Sequence, residues 1–205
     1  MIALIDYKAG NLTSVRKALA AVGAEVFTPE AAADLEKAAG IIVPGVGHFA
    51  ATKVLDERWV KTVRQLVAAG RPLLGICLGM QWLYEGSDED PENPGIGFFK
   101  GQCYRLGTRS STPNGDAVKV PHVGWNALSQ RRPDSIVRQV PDESQVYFTH
   151  SYVAPLTAET VAATEHGEPF ASIVQRDNVA GVQFHPEKSG EVGLQVLRNF
   201  LALIK

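Results

Sequence analysis

Cysteine is nearly absent from this chain: its 205 residues include only Cys77 and Cys103. That scarcity excludes a disulfide-dense secreted scaffold and favours a reducing, cytoplasmic setting. An excess of either charge is also missing, since 20 Lys and Arg stand against 22 Asp and Glu for a net charge of −2. The longest basic cluster is Arg131-Arg132, so the sequence offers no electrostatic footprint for nucleic acid or an anionic membrane surface. Long apolar runs are absent too. No segment approaches the ~20 residues that span a bilayer, and Asp6 comes too early for a signal peptide. Neither an internal repeat nor a low-complexity linker interrupts residues 1–205, which read as a single domain.

What is present is an ordinary globular composition, 45% hydrophobic and 20% charged. In the first half, apolar runs alternate with helix-like segments. "IALID", "EVFTP", "GIIVPG" and "PLLGIC" read as strands. Asn11 is placed to cap a helix carrying Leu12, Val15, Leu19 and Val22 at helical spacing. A second helix is expected over residues 52–69, with Leu55, Trp59, Val63, Leu66 and Val67 on one face and Gly70 stopping it. "LGMQWLYEG" should form the next helix, and a last one should run from about Glu191 to Leu203.

Such alternation implies an α/β fold with an open, mostly parallel, flavodoxin-like sheet and helices on both faces. From Gly97 to Gly181 the chain turns β-branched and aromatic, which implies a mixed or antiparallel extension. Sites in parallel sheets lie at the carboxyl ends of strands. Asp6, the Pro44-Gly45-Val46-Gly47 turn and Cys77 all fall there and are expected to share a crevice.

Gly75-Ile76-Cys77-Leu78-Gly79 has the form of a nucleophile elbow with cysteine in the reactive position. Small neighbours permit the tight turn, the helix start favours thiolate, and the Leu78 N–H would face a developing oxyanion. By itself the string fits a packed cysteine equally well. Cys103, in "GQCYRLG", has no such setting and reads as structural.

A thiol nucleophile needs a base and a group to orient it. Of His48, His122, His150, His166 and His185, the last lies in "GVQFHPEKS" at a strand end, where Glu187 can reach back to its ring. The glycines of "VPGVGHF" allow a backbone N–H to turn toward an oxyanion. Each of these last two pieces alone suits a plain turn; with the cysteine string, the three complement one another.

Together, "PGVG", "GICLG" and "HPE" resemble the class I glutamine amidotransferases, and the resemblance spans nearly the whole chain. "LIDYKAGNLTSVRKAL", "GICLGMQWLYEGSDE", "KVPHVGWN", "YFTHSY" and "GVQFHPEKS" are similar to the glutaminase subunits of imidazole glycerol phosphate synthases. One departure is Lys8, which stands where that pattern has glycine and bears on the local loop shape.

The resemblance implies a Cys77-His185-Glu187 triad and an oxyanion hole from Val46, Gly47 and Leu78. It implies glutamine held by Gln81, Glu89, Ser151 and Tyr152. It also implies a (β/α)8-barrel cyclase subunit as heterodimeric partner, met or gated by Asn11, His122, Trp125, Tyr147 and Lys188, with no metal and no cofactor. Read without the family, Gln81 is a helix residue one turn past Cys77, and Trp125 and Tyr147 serve equally as core aromatics. Three rivals stand beside this reading: a glutaminase serving another acceptor, a papain-like or DJ-1-like cysteine hydrolase, and a regulatory subunit without activity.

Overall fold

The structure, a computed structural model, describes residues 1–10, 12–108 and 118–204. Asn11 lies outside the described residues, so neither its capping nor its interface role is read from them. The first half alternates as expected: β1 (Ile2–Leu4), α1 (Leu12–Ala21), β2 (Val26–Phe27), β3 (Gly40–Val43), α2 (Glu57–Ala68), β4 (Leu73–Ile76) and α3 (Leu78–Trp82). The second half is strand-rich: β5 (Gly86–Ser87), β6 (Gln102–Arg105), β7 (His122–Ala127), β8 (Ser129–Gln130), β9 (Gln145–His150) and β10 (Tyr152–Val153). It continues with β11 (Thr160–Glu165), β12 (Pro169–Arg176), β13 (Val179–Val182) and α4 (Gly190–Leu201).

Eight strands form one sheet in the order β2-β1-β3-β4-β13-β12-β11-β8. Pairing is parallel from β2 to β13 and antiparallel from β13 to β8. The parallel strands read as unbroken apolar runs because both of their faces are buried. Successive side chains of β1 and of Ile5 just beyond it alternate between them: Ile2 and Leu4 pack with Val15, Leu19, Val196 and Phe200, while Ala3 and Ile5 pack with Val63, Val67 and Phe49. Burying a side chain such as Leu4 or Phe200 on either face contributes about 1.5–3 kcal/mol. A three-stranded sheet, β10-β6-β5, and an antiparallel ribbon, β7-β9, stand beside the main sheet. No helix among the described residues is long and apolar enough to cross a membrane.

Two helix expectations need correction. The helix expected over residues 52–69 is split into a 3-10 turn, Phe49–Val54, and α2. Asp56 makes the break: its side chain accepts the Arg58 and Trp59 N–H groups and so starts α2 afresh. The helix after Cys77 ends at Trp82 rather than running through "LYEG", because Gly86 pairs as a strand with Gln102.

Candidate functional site

Three neighbouring parallel strands deliver the parts of the site to one end of the sheet. The Gly45 turn follows β3, Cys77 ends β4, and His185 stands three residues beyond β13. The Cys77 N–H donates to the Val182 carbonyl at 2.8 Å, which continues the β4–β13 ladder up to Cys77.

Cys77 adopts φ 53°, ψ −108°, a conformation that costs a residue with a side chain about 1–3 kcal/mol. The flanking glycines are required by close approach: a Cβ on Gly79 would collide with the Val43 carbonyl, and one on Gly75 with the backbone of Gly79. This is the elbow expected from the sequence. The helix behind it, α3, has only five residues, so its dipole is short and contributes little at the sulfur.

His185 and Glu187 are both buried, with Nδ1 of the ring 2.8 Å from a Glu187 carboxylate oxygen. Burial disfavours the charged ring, but the Cys77 sulfur and the Glu187 carboxylate outweigh it and push the His185 pKa up to about 10. The imidazole faces the sulfur through Nε2, and both neighbours favour its charged form. That nitrogen makes no hydrogen bond of ordinary geometry among the described residues. The sulfur also receives Gln183 Nε2 at 3.6 Å and lies 3.9 Å from the Thr149 carbonyl. Gln183, fully buried, escaped the sequence reading; its position two residues before His185 on the same strand direction was the available signal.

The oxyanion side differs. The Leu78 N–H, expected to face the oxyanion, donates instead to the Gly45 carbonyl at 3.2 Å. The Val46 nitrogen of the same turn lies on the side of Gly10, where a Cβ would come within 3.3 Å of it. Tyr7 underlies this turn, its hydroxyl filling the space that a Gly45 side chain would need. Burial, reinforced by nearby Cys77, pushes the phenol pKa up. Its hydroxyl has no hydrogen-bond partner among the described residues.

A cavity of about 290 Å³ opens over the sulfur, lined by Val46, Gly47, Cys77, Leu78, Gln81, Glu89, Ser151 and Tyr152 together with Pro121, Thr149 and His150. The first eight were anticipated from the sequence and the last three were not. Gln81 is buried, its amide donating to the Tyr152 carbonyl at 2.9 Å and to Gln183 at 3.2 Å. Glu89 accepts the Phe49 N–H at 2.7 Å, tying its loop to the residue just past the glycine turn.

Asp6 does not join this cavity, contrary to the shared-crevice expectation. It turns back to Lys8, accepting the Lys8 backbone N–H at 2.8 Å and the ammonium at 3.1 Å. The Lys8 N–H, against some burial, holds the Asp6 carboxyl below its usual range. Lys8 itself sits at φ 64°, the left-handed region that explains why glycine suits this position.

Among the residues expected at a partner face, Trp125 and Tyr147 are cross-strand partners on the β7–β9 ribbon, rings 6.0 Å apart. Trp125 and Val123 are both 57% exposed. The Lys188 ammonium lies 5.7 Å over the Tyr147 ring. Beneath that face the ribbon grips the His185 turn, with the His185 N–H donating to the Tyr147 carbonyl at 2.9 Å. His122 is buried and does not reach the surface; it packs against Phe148, His150 and His166. Cys103 is buried and unpaired, as is Cys77, and its thiol pKa is pushed up by burial.

The site thus sets a strained cysteine elbow beside a buried histidine–glutamate pair at one end of an open α/β sheet. The chain belongs to the class-I glutamine amidotransferases, whose family model matches residues 3–204. Two solved structures show the same fold. One, a glutamine amidotransferase, covers 100% of this chain and 99% of its own at TM-score 0.75 and 21% identity. The other, a glutamine amidotransferase of Thermotoga maritima, covers 100% and 97% at TM-score 0.67 and 14% identity. Nearer in sequence is the imidazole glycerol phosphate synthase subunit HisH of Desulfitobacterium hafniense, 44% identical over 98% of this chain and 93% of that protein. HisH of Thermosynechococcus vestitus is 45% identical over 100% and 97%.

Proposed function

We propose that this chain is the glutaminase subunit of a cytoplasmic imidazole glycerol phosphate synthase. It hydrolyses glutamine to glutamate and ammonia, and the ammonia passes through an internal channel to a (β/α)8-barrel cyclase subunit in histidine biosynthesis. The observation that carries the reading is the Cys77 sulfur, paired with a buried His185-Glu187 couple under a cavity lined by Gln81, Glu89, Ser151 and Tyr152. Near-full-length similarity to HisH subunits supports the choice of acceptor.

In this reading the Cys77 thiolate attacks the side-chain amide carbon of glutamine, forming the C–S bond and a tetrahedral oxyanion. His185 gives its Nε2 proton to the leaving nitrogen, and ammonia departs as the γ-glutamyl thioester forms. The same nitrogen then takes a proton from water, whose oxygen attacks the thioester carbon and releases glutamate and the thiolate. Glu187 holds the ring and stabilises its cation. Ser151, Tyr152, Gln81 and Glu89 hold the amino-acid end.

The oxyanion needs the Leu78 N–H, and a second donor would come from Val46. The Gly45 carbonyl occupies the Leu78 N–H here, so the Gly45–Val46 peptide must rotate before the hole is complete. A missing donor of this kind costs about 3 kcal/mol, roughly 10²-fold in rate. Docking of the cyclase on the Trp125, Tyr147 and Lys188 face would shift the population toward the rotated form. Glutamate release from glutamine, with and without a cyclase subunit, tests the reading. Cys77→Ala should abolish release in the complex, by at least about 10⁴-fold; retained activity would overturn the mechanism.

A further inference from the structure

The β7–β9 ribbon buries two histidines that the chemistry above leaves unused. His122 and His150 face each other across the strands, with His122 Nδ1 3.1 Å from His150 Nε2. His150 Nδ1 lies 3.1 Å from the Tyr152 carbonyl oxygen. At the other end, His122 Nε2 lies 3.3 Å from the Asn126 side-chain nitrogen.

These contacts fix where every proton sits. A carbonyl only accepts, so His150 Nδ1 must carry its hydrogen. Burial, with the neighbouring histidines, lowers the pKa of His150 to about 3 and that of His122 to about 4, so both rings are neutral at physiological pH. A neutral imidazole has one N–H. His150 Nε2 is therefore bare and accepts, His122 Nδ1 donates to it, and His122 Nε2 accepts from the Asn126 amide. The polarity of Asn126 is set independently, since its oxygen accepts the Ala127 N–H at 2.8 Å and its nitrogen also donates to the Glu165 carbonyl at 2.9 Å. His166 and Phe148 stack on the His122 ring with centroids 4.1 and 4.8 Å away, which resists its turning over.

The relay ends on a carbonyl of the cavity wall. That Tyr152 oxygen also receives the Gln81 amide at 2.9 Å, so two donors pin one peptide plane. Gln81, His150, Ser151 and Tyr152 all line the cavity over Cys77. We propose that His150, oriented by His122 and Asn126, is a positioning residue that fixes the Tyr152–Val153 peptide, and through it the Ser151 and Tyr152 wall of the cavity, for substrate binding. The inference rests on the glutaminase reading for its substrate, while the relay itself rests on the hydrogen-bond geometry.

Two measurements test it. In the complex with the cyclase, His150→Phe keeps the ring among aromatic neighbours but removes both hydrogen bonds. Its KM for glutamine should rise about tenfold while kcat changes less than about threefold. His150→Asn puts an amide nitrogen where Nδ1 stood and should restore KM to within about threefold of wild type. A packing role alone predicts the reverse order, with Phe tolerated better than Asn.

Long-range ¹⁵N–¹H spectra of the full chain at neutral pH should show both rings as neutral Nδ1–H tautomers. An Nε2–H tautomer on either ring, a wild-type KM in His150→Phe, or an Asn variant no better than Phe would overturn the proposal. If the wild-type complex released no glutamate, the glutaminase reading and the substrate-positioning role would fall, and the spectra would still decide the relay.

Discussion

The two sides of the Cys77 site are in different states of completion. On the base side, the His185 and Glu187 side chains are buried, 2.8 Å apart, and the surroundings favour the charged ring. On the oxyanion side the Leu78 N–H is taken by the Gly45 carbonyl, and the Tyr7 hydroxyl beneath the same turn has no partner among the described residues. The difference has a physical origin. The base side hangs on the β4–β13 ladder, which the Cys77 N–H extends by donating to the Val182 carbonyl. The oxyanion side is a glycine turn beyond the end of β3, where one peptide can rotate without moving the sheet. In the proposed mechanism such a site holds its nucleophile in place while the oxyanion hole waits.

The largest expected effect comes from breaking the finished side. Glu187→Gln keeps the size of the side chain but removes the charge that orients His185, and kcat in the cyclase complex should fall roughly 10³-fold. A drop below about tenfold would show that the orienting carboxylate is dispensable.

A second test uses pH, because two regions carry opposite signs. His185 has a folded pKa near 10 against an ordinary 6.5. Its contribution to stability is full below about pH 6.5 and is lost as pH rises through about 10. His122 and His150 have folded values near 4 and 3, so the unfolded chain takes up their protons first. Stability should therefore fall as pH drops below about 6.5, through about 3, and Tm of His150→Phe should fall less steeply than wild type over that range. Parallel Tm curves would contradict a neutral buried pair.

The smallest effect probes the unfinished side. Tyr7→Phe removes an unpaired buried hydroxyl and should raise stability by about 1 kcal/mol in denaturant unfolding. A loss of stability would mean that the hydroxyl has a partner in solution.

Much of this arrangement was legible in the sequence. Unbroken apolar runs declared the parallel strands, and the glycines around Cys77 marked a turn that tolerates no side chains. His185-Pro186-Glu187 carried its own pairing, since the two partners are local. Interactions between distant segments were less visible. His150 and Thr149 belong to the cavity only because β9 brings the Thr149 carbonyl to 3.9 Å from the Cys77 sulfur, and the His122–His150 contact is a cross-strand register that spacing along the chain does not reveal. Asp6 stood at the right strand end but found Lys8 closer than the cavity. The break at Asp56 was readable as a cap, yet the apolar spacing around it favoured one longer helix. The direction of the Gly45 carbonyl was beyond sequence reasoning, because glycine allows both orientations.

The most direct test of the contrast is to measure two rates on the same protein, with and without a cyclase subunit. One is alkylation of Cys77 by iodoacetamide, which reads the nucleophile; the other is glutamine hydrolysis, which also needs the oxyanion hole. Adding the partner should raise hydrolysis by at least about 10²-fold and leave alkylation nearly unchanged. Strong hydrolysis by the isolated chain, or alkylation rising in step with hydrolysis, would contradict a site whose nucleophile is ready before its oxyanion hole.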